Sequence, residues 1–510
     1  MIGDSLIARI CIRVLMWVWS FAIPFLSFIY YLFYVTQRKS LLVEWFPNTF
    51  SSEIIDTSIF VFLHYWLGFE LVFHLYFEVT RSRFQKLSQP VVPPKHVRAE
   101  LLKDCLATLD NFETWIEGWF NVGHKKTAFN NIYRENFAEW YSYLSLAWSF
   151  FSASLKEVRQ NPEYSIELEE IINTIEAQKK VRFPEGRNPE CECIRLTLDP
   201  VKAIPRPFVV YVAIFLMNYA FSLLLKFYGF KRFGSKESIL NGYWSSTLEF
   251  DIQEESSSSP SQITYWYYNP QSNNESLSKK GQQKPIVFIH GVGGLCFYVS
   301  FVKRLRNLER PLFLVELPCV AMQLAEDAPI MEETVREIEI MLNDRGFSKA
   351  TFVSHSLGTA VCAWIVKEAR KLVGGLVLVD PIVFLLHYPD VAYNFVYRNP
   401  IAANEYLTTF FASRELYTSR YFSRYFHWFQ STIFISSRNI LPTNTYVYLS
   451  EHDNIVPSKH VHKYLNKNNV AVRMMHELDH ACFLFNSTWQ KEIIKDVKRC
   501  CNARKSWYSW

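Results

Sequence analysis

The feature that most constrains the fold is a series of short apolar runs in the second half of the 510-residue chain. They lie at residues 284–290, 310–318, 350–356, 374–381, 445–453 and 470–480. Helical patterns separate many of them, and apolar strands that alternate with helices predict a parallel sheet covered on both faces. We therefore expect an α/β domain over residues 242–504, with additional strands at 246–252 and 263–269 and a cap insertion at about 382–444.

The N-terminal part of the chain predicts a membrane region over residues 1–87. Val14–Val35 carries no charged residue, and its length spans a hydrocarbon core of roughly 30 Å. A second apolar run, Ile59–Val79, places Glu70, His74 and Glu78 on one helical face. We expect this run either to span the membrane or to pack on a neighbour through that face. The protein is thus predicted to be integral to a membrane, in the endomembrane system.

Residues 88–241 predict a mostly helical segment that includes a third apolar helix at 208–225, which either spans the membrane or lies in its interface. The net charge is +5, and the sequence contains no long run of basic residues, so nucleic-acid binding is not indicated. The ten cysteines lack metal-ligand spacing. We expect no metal and no other cofactor, and the sequence identifies no protein partner.

Residues 351–361, TFVSHSLGTAV, contain the most informative local motif. Ser356 lies between a strand-like run and a helical run, which is the setting of a nucleophile elbow, G-x-S-x-G. Gly358 supplies the small residue after the serine, whereas Ser354 replaces the first glycine. Alone, the motif is a weak signal that is more typical of a surface serine in a turn.

Other residues at the ends of predicted strands strengthen the hypothesis. His290 to Gly294 reads HGVGG, where glycines let backbone N–H groups approach a substrate oxygen. Val292 N–H and Leu357 N–H would form an oxyanion hole, supported by His290, Gly291 and Gly293. Asp453 and His480 follow two late strands, so the chain order is serine, acid, histidine.

These motifs make residues 242–504 resemble the α/β-hydrolase superfamily. The stretches that match are HGVGG, the elbow at Ser356, the D-x-I-V-P stretch at Asp453 and the pair Asp479-His480. The whole arrangement is similar, more loosely, to membrane-anchored lipase-like hydrolases of fungi and other simple eukaryotes.

The resemblance implies a serine hydrolase in which Ser356 attacks an acyl carbonyl, His480 transfers the proton and Asp453 orients His480. Asp380 is the alternative acid, since some relatives place the acid after that earlier strand. His355 is expected to be a structural residue beneath the sheet. The predicted substrate is a lipid-like acyl ester met at a membrane, with hydrolysis and acyl transfer both open.

The cap sequence leaves two interpretations open. Arg420 and Arg424 share one helical face, and Tyr421, Tyr425 and Trp428 share another. Such a helix either lies on a membrane as a lid or packs its aromatics on the domain below. The alternative function is a catalytically inactive hydrolase-fold scaffold or binding protein, and its one support is the departure at Ser354. Asn274 and Asn486 begin glycosylation sequences that matter only for a lumenal domain.

Overall fold

The computed structural model describes most of the chain. The described residues are 4–35, 53–122, 125–126, 128–133, 146–186, 188–234, 263–270, 283–326, 328, 330–435 and 440–503. The strand predicted at 246–252 and the glycosylation sequence at Asn274 lie outside them.

Two long helical stretches make up most of the described N-terminal region. Helices α1 (Leu6–Trp17) and α2 (Ile23–Val35) are continuous through the π-helical turn Val18–Ala22. Helix α3 is Glu53–Arg83. Within the part of the chain that the structure describes, two stretches are long and apolar enough to cross a membrane, Leu6–Tyr34 and Phe208–Phe227. A signal sequence or the core helix of a soluble protein passes the same test. A span through α3 stays a prediction.

Glu70 of α3 is buried against the third apolar helix. Its carboxylate accepts hydrogen bonds from the backbone N–H groups of Phe208 (2.6 Å) and Val209 (3.2 Å) and from the indole of Trp66 (2.8 Å). These N–H groups have no partner within their own helix, and a carboxylate there also meets the positive end of the helix dipole. Through Glu70, helix α3 therefore packs on a neighbouring helix.

The helical segment that follows contains helices α4 (Lys95–Thr108), α5 (Phe112–Glu117), α6 (Leu146–Phe151), α7 (Leu155–Gln160) and α8 (Pro162–Lys179). Strands β1 (Phe120–Val122), β2 (Lys125–Lys126) and β3 (Cys191–Cys193) form a small antiparallel sheet beside them. Ser154 starts α7 with a capping box. The third apolar helix, α9, spans Phe208–Phe227.

The central sheet has eight strands. They are β4 (Lys231–Phe233), β5 (Tyr265–Tyr268), β6 (Ile286–Ile289), β7 (Leu312–Val315), β8 (Ala350–His355), β9 (Val373–Val379), β10 (Thr445–Ser450) and β11 (Ala471–Met475). Their order across the sheet is β11-β10-β9-β8-β6-β7-β5-β4, parallel from β11 to β7 and antiparallel at β5 and β4. Because β4 pairs at the edge, the sheet begins before residue 242, where the sequence placed the boundary.

Helices cover both faces of the sheet, as the apolar strands require. One face packs on α10 (Val299–Arg306) and α18 (Ser487–Asn502), and the other on α11 (Met331–Asn343), α12 (Gly358–Glu368) and α17 (Ser458–Lys467). The second face shares one hydrophobic core with the cap and with the helical segment. The helical segment is therefore packed as part of the same body.

The cap contains α13 (Asp390–Ala392), α14 (Ala403–Thr408), α15 (Leu416–Arg424) and α16 (Trp428–Ser431). Most of α15 is buried, including Arg424. The Arg424 guanidinium donates to the carbonyls of Gln85 (3.0 Å), Lys86 (3.1 Å) and Asp199 (2.8 Å). Helix α15 thus packs inside the protein, which is the second of the two interpretations of the cap sequence.

Candidate active site

Ser356 occupies a strained turn between β8 and α12. Its backbone has φ = 50°, a region that L-residues rarely adopt, and its N–H donates to Val379 O at 3.0 Å. A Cβ on Gly358 would lie 2.4 Å from Ile289 O and 2.6 Å from His290 O. Only glycine therefore fits two residues after the serine. Two residues before it, Ser354 is fully buried on β8, and its hydroxyl has no hydrogen-bond partner among the described residues.

Ser356, His480 and Asp453 form one hydrogen-bonded series. His480 Nε2 lies 2.9 Å from Ser356 Oγ, and His480 Nδ1 lies 2.7 Å from Asp453 Oδ2. The other Asp453 oxygen accepts the N–H groups of Ile455 and Val456, both at 2.8 Å. These bonds fix the carboxylate so that it can hold one imidazole tautomer, with Nε2 directed at the serine.

Asp380 lies behind this series and does not take Asp453's place on His480. It is fully buried at the end of β9, and its oxygens accept the Ser450 N–H at 2.8 Å, the Ser450 hydroxyl at 3.1 Å and the Ala481 N–H at 3.1 Å. Burial alone would raise the pKa of Asp380, but the neighbouring His355 and the charge of His480 hold it below its usual value. Asp380 thus joins β10 to the loop that carries His480.

The charge state of His480 follows from these carboxylates. Burial by itself would lower the pKa of this imidazole, yet the charge and hydrogen bond of Asp453, with further contributions from Asp380 and Asp479, raise it to about 9. Asp479 also fixes the loop, because its carboxylate accepts the His480 N–H at 2.8 Å and the Asn454 N–H at 3.0 Å.

The HGVGG loop lies directly against Ser356. A Cβ on Gly291 would lie 2.9 Å from Ser356 Cβ, and Gly293 has φ = +109°, a conformation that favours glycine. Within the described part of the chain, the backbone N–H groups of Val292 and Leu357 donate no hydrogen bond. Both residues line the cavity at Ser356. The two donors predicted for an oxyanion hole are therefore available.

His290 holds the loop in place. The Leu317 N–H donates to His290 Nε2 at 3.0 Å, so the ring proton is on Nδ1, which contacts Gly291 O at 2.6 Å. Burial lowers the pKa of His290 to about 4, which keeps the ring neutral. A second buried histidine, His355, contacts the Tyr298 hydroxyl at 2.7 Å, and that hydroxyl accepts the Gly291 N–H at 2.9 Å.

Two carboxylates and an imidazole of this site lie close enough together to be candidate metal ligands. Asp380, Asp453 and His480 have ligand atoms within 4.8 Å of one another. Both carboxylates already accept several N–H or O–H donors, and both His480 nitrogens have partners in the series. This hydrogen bonding suits proton transfer better than a cation.

A cavity of about 730 Å³ opens on Ser356. Its walls come from the HGVGG and His480 loops, from the cap and, unexpectedly, from the helical segment through Trp119, Trp148 and Leu196. Asp4, ahead of α1, also lines it. Aromatic helical patterns are visible in the sequence near these tryptophans, but nothing in the sequence indicates that they reach Ser356.

Comparisons with known proteins support the fold. Residues 286–492 match the sequence profile of the Alpha/beta hydrolase family. The domain has the α/β-hydrolase fold. The prediction of that fold, with a mostly parallel sheet between helices, is confirmed.

The individual proteins to which this chain is similar are distant from it. The alignment with an esterase from Thermogutta terrifontis covers 47% of this chain and 95% of the esterase, at 12% identity and a TM-score of 0.35. A bacterial membrane phospholipase A covers 58% of this chain and 97% of its own at 14% identity and a TM-score of 0.35. Indigoidine synthase of Dickeya dadantii is 30% identical over 108 residues, which are 21% of this chain and 7% of that synthase.

Proposed function

We propose that the protein is a membrane-bound serine hydrolase that cleaves acyl groups from lipid-like esters. The observation that carries the proposal is the continuous series Asp453–His480–Ser356, built on a strained elbow and open to a large, mainly apolar cavity. Cavities of this size commonly hold small organic ligands with a few polar contacts at one point. Here Ser356 and His480 supply polar groups to a lining that is mainly apolar.

In the proposed reaction, Ser356 Oγ attacks the ester carbonyl while His480 Nε2 takes the hydroxyl proton. The carbonyl oxygen gains negative charge and accepts hydrogen bonds from Val292 N–H and Leu357 N–H. Collapse breaks the ester C–O bond, and His480 gives its proton to the departing alcohol. Water then attacks the acyl-enzyme by the same route and releases the acid. Asp453 stabilises the imidazolium in both halves.

The membrane part of the proposal rests on helices α1, α2 and α9. Their length and apolar composition suit a bilayer, and an insoluble ester would be reached there. Likeness to membrane-anchored lipase-like enzymes of the fungal type, and residence in the endomembrane system, belong to the same proposal. So does the division into a membrane region (1–87), a helical segment (88–241) and a hydrolase domain (242–504), with β4 now assigned to the last.

The inactive scaffold is the weaker alternative. It depended on Ser354, and that residue fits a buried strand position with the elbow intact. Acyl transfer to an alcohol uses the same acyl-enzyme and is distinguished by its products.

The experiment is fluorophosphonate labelling of the full-length protein in membranes. We expect labelling of the native protein and none of Ser356→Ala. Ser487→Ala, which changes an exposed serine at the start of α18, is the matched control and should label normally. His480→Ala should label at least ~10²-fold more slowly, since a general base contributes about 10²–10⁴-fold. Equal labelling of native protein and Ser356→Ala would refute the proposal.

A further inference from the structure

The residues that line the cavity at Ser356 differ in exposure to solvent. Asp4, with 42% of its side chain exposed, and the half-buried Asn404 form its more accessible part. Trp119, Trp148 and Leu196 are only 4–6% exposed, and these three residues define its closed end. They come from the helical segment, outside the residues that match the hydrolase family. The helical segment thus contributes to the cavity of the hydrolase domain.

The closed end is apolar and firmly held. The Trp119 and Trp148 rings lie 6.3 Å apart at 57°, and the Trp148 indole N–H donates to the buried Thr197 hydroxyl. Next to Trp148, Phe150 packs edge-on against Trp428 of the cap at 6.0 Å. Rings fixed by a hydrogen bond and by packing keep their rotamers, so this wall has a defined position.

The chemistry of the lining indicates which part of a substrate lies there. None of the ionisable lining residues belongs to the helical segment; they are Asp4, His355, Asp479, His480 and Cys482. A headgroup or polar alcohol would lose hydrogen bonds to water at an end made of tryptophan and leucine. An alkyl chain loses none, and each buried methylene strengthens its binding by about 4-fold.

We propose that Trp119, Trp148 and Leu196 close an acyl-chain site and set the longest acyl group that Ser356 processes. The site rests on the proposed hydrolase function for its catalytic consequence, but chain binding does not depend on it. A longer chain meets the tryptophan wall and loses the correct position at Ser356. Shortening the wall therefore extends the accepted chain length without changing the reaction of short esters.

The first test measures kcat/KM of the full-length protein on 4-nitrophenyl esters from four to eighteen carbons. Trp148→Ala and the milder Leu196→Ala should move the optimum to longer chains, raising the ratio of long- to short-chain kcat/KM by about 10-fold or more, two to three methylenes' worth. The butyrate ester should change little. Phe183→Ala is the matched control, because this buried aromatic of the same segment does not line the cavity.

The second test needs no catalysis. In Ser356→Ala, saturated fatty acids of increasing length displace a fluorescent fatty acid, and their affinity should rise to a limit that Trp148→Ala or Leu196→Ala extends. If no ester is turned over but this limit moves, the hydrolase function fails and the chain site stands. If the folded variants keep the native chain-length limit in both assays, the chain site is refuted.

Discussion

Replacing Gly358 by alanine tests the elbow most directly. The added Cβ would lie 2.4 Å from Ile289 O and 2.6 Å from His290 O, and both are backbone atoms that no rotamer change can move. Relief to 3.0 Å requires α12 and the β6 end to separate by about 0.6 Å, and a misplacement of about 1 Å can cost ~10²-fold in rate. We expect kcat/KM to fall by about 10²-fold and stability by about 1–3 kcal/mol, as for an overpacked core.

The assay is ester hydrolysis together with thermal unfolding of the purified full-length protein. Gly374→Ala is the matched control, because its Cβ would meet mainly the flexible Lys284 side chain, 3.0 Å away. This control should retain nearly native activity. The reasoning is refuted if Gly358→Ala hydrolyses esters at the rate of Gly374→Ala, because the elbow would then not require glycine.

Three further predictions concern the pKa of His480, the buried Ser354 and an ion pair of the helical segment. His480 must be neutral to accept a proton, and its raised pKa means that kcat/KM should rise with pH up to about 9. Asp380→Asn removes one of the charges that raise the pKa of His480, so the midpoint of the pH–rate profile should move to lower pH. A shift to higher pH would contradict the role of His480 as the general base. Ser354→Gly restores the usual glycine and removes a buried hydroxyl that has no hydrogen-bond partner among the described residues, so activity should stay within ~3-fold. Loss of labelling would show that the buried serine has another role. Glu167→Gln leaves the buried Arg98 guanidinium without its anion. Breaking such a pair should lower the free energy of unfolding by about 3–5 kcal/mol, as measured by denaturant titration. An unchanged denaturation midpoint would be the contrary result.

The features predicted correctly from sequence are those that local pattern determines. The strands of the central sheet that are buried on both faces, such as β8 and β9, are apolar at nearly every position, so their runs are visible without tertiary information. The elbow is equally local, since strand, turn and helix follow one another at Ser356. The choice of Asp453 over Asp380 as the acid, made on loop position and strand count, stays a prediction; in the structure Asp453 lies within hydrogen-bond distance of His480 Nδ1.

The features that sequence did not indicate depend on contacts between distant segments. Strand β4 has three residues, too few for any periodicity, and becomes a strand because β5 offers an edge. Helix α15 has the composition of an interfacial lid. A basic and aromatic helix has the same sequence pattern whether its arginines bind lipid headgroups or buried carbonyls, so the sequence did not distinguish the two. The carbonyls that satisfy Arg424 lie more than two hundred residues earlier in the chain.

These distant contacts also relate the apolar helices to the active site. Asp4 accepts the Ala403 N–H at 3.0 Å at the start of α14, and Tyr211 of α9 donates to the buried Glu415 at 3.0 Å. Helix α14 supplies Asn404, which donates to Asp479 beside His480. The segment ahead of α1 is therefore connected to the His480 loop, because Asp4 bonds to Ala403 and the adjacent Asn404 bonds to Asp479. Under the proposed function, this segment contacts the loop that carries the general base.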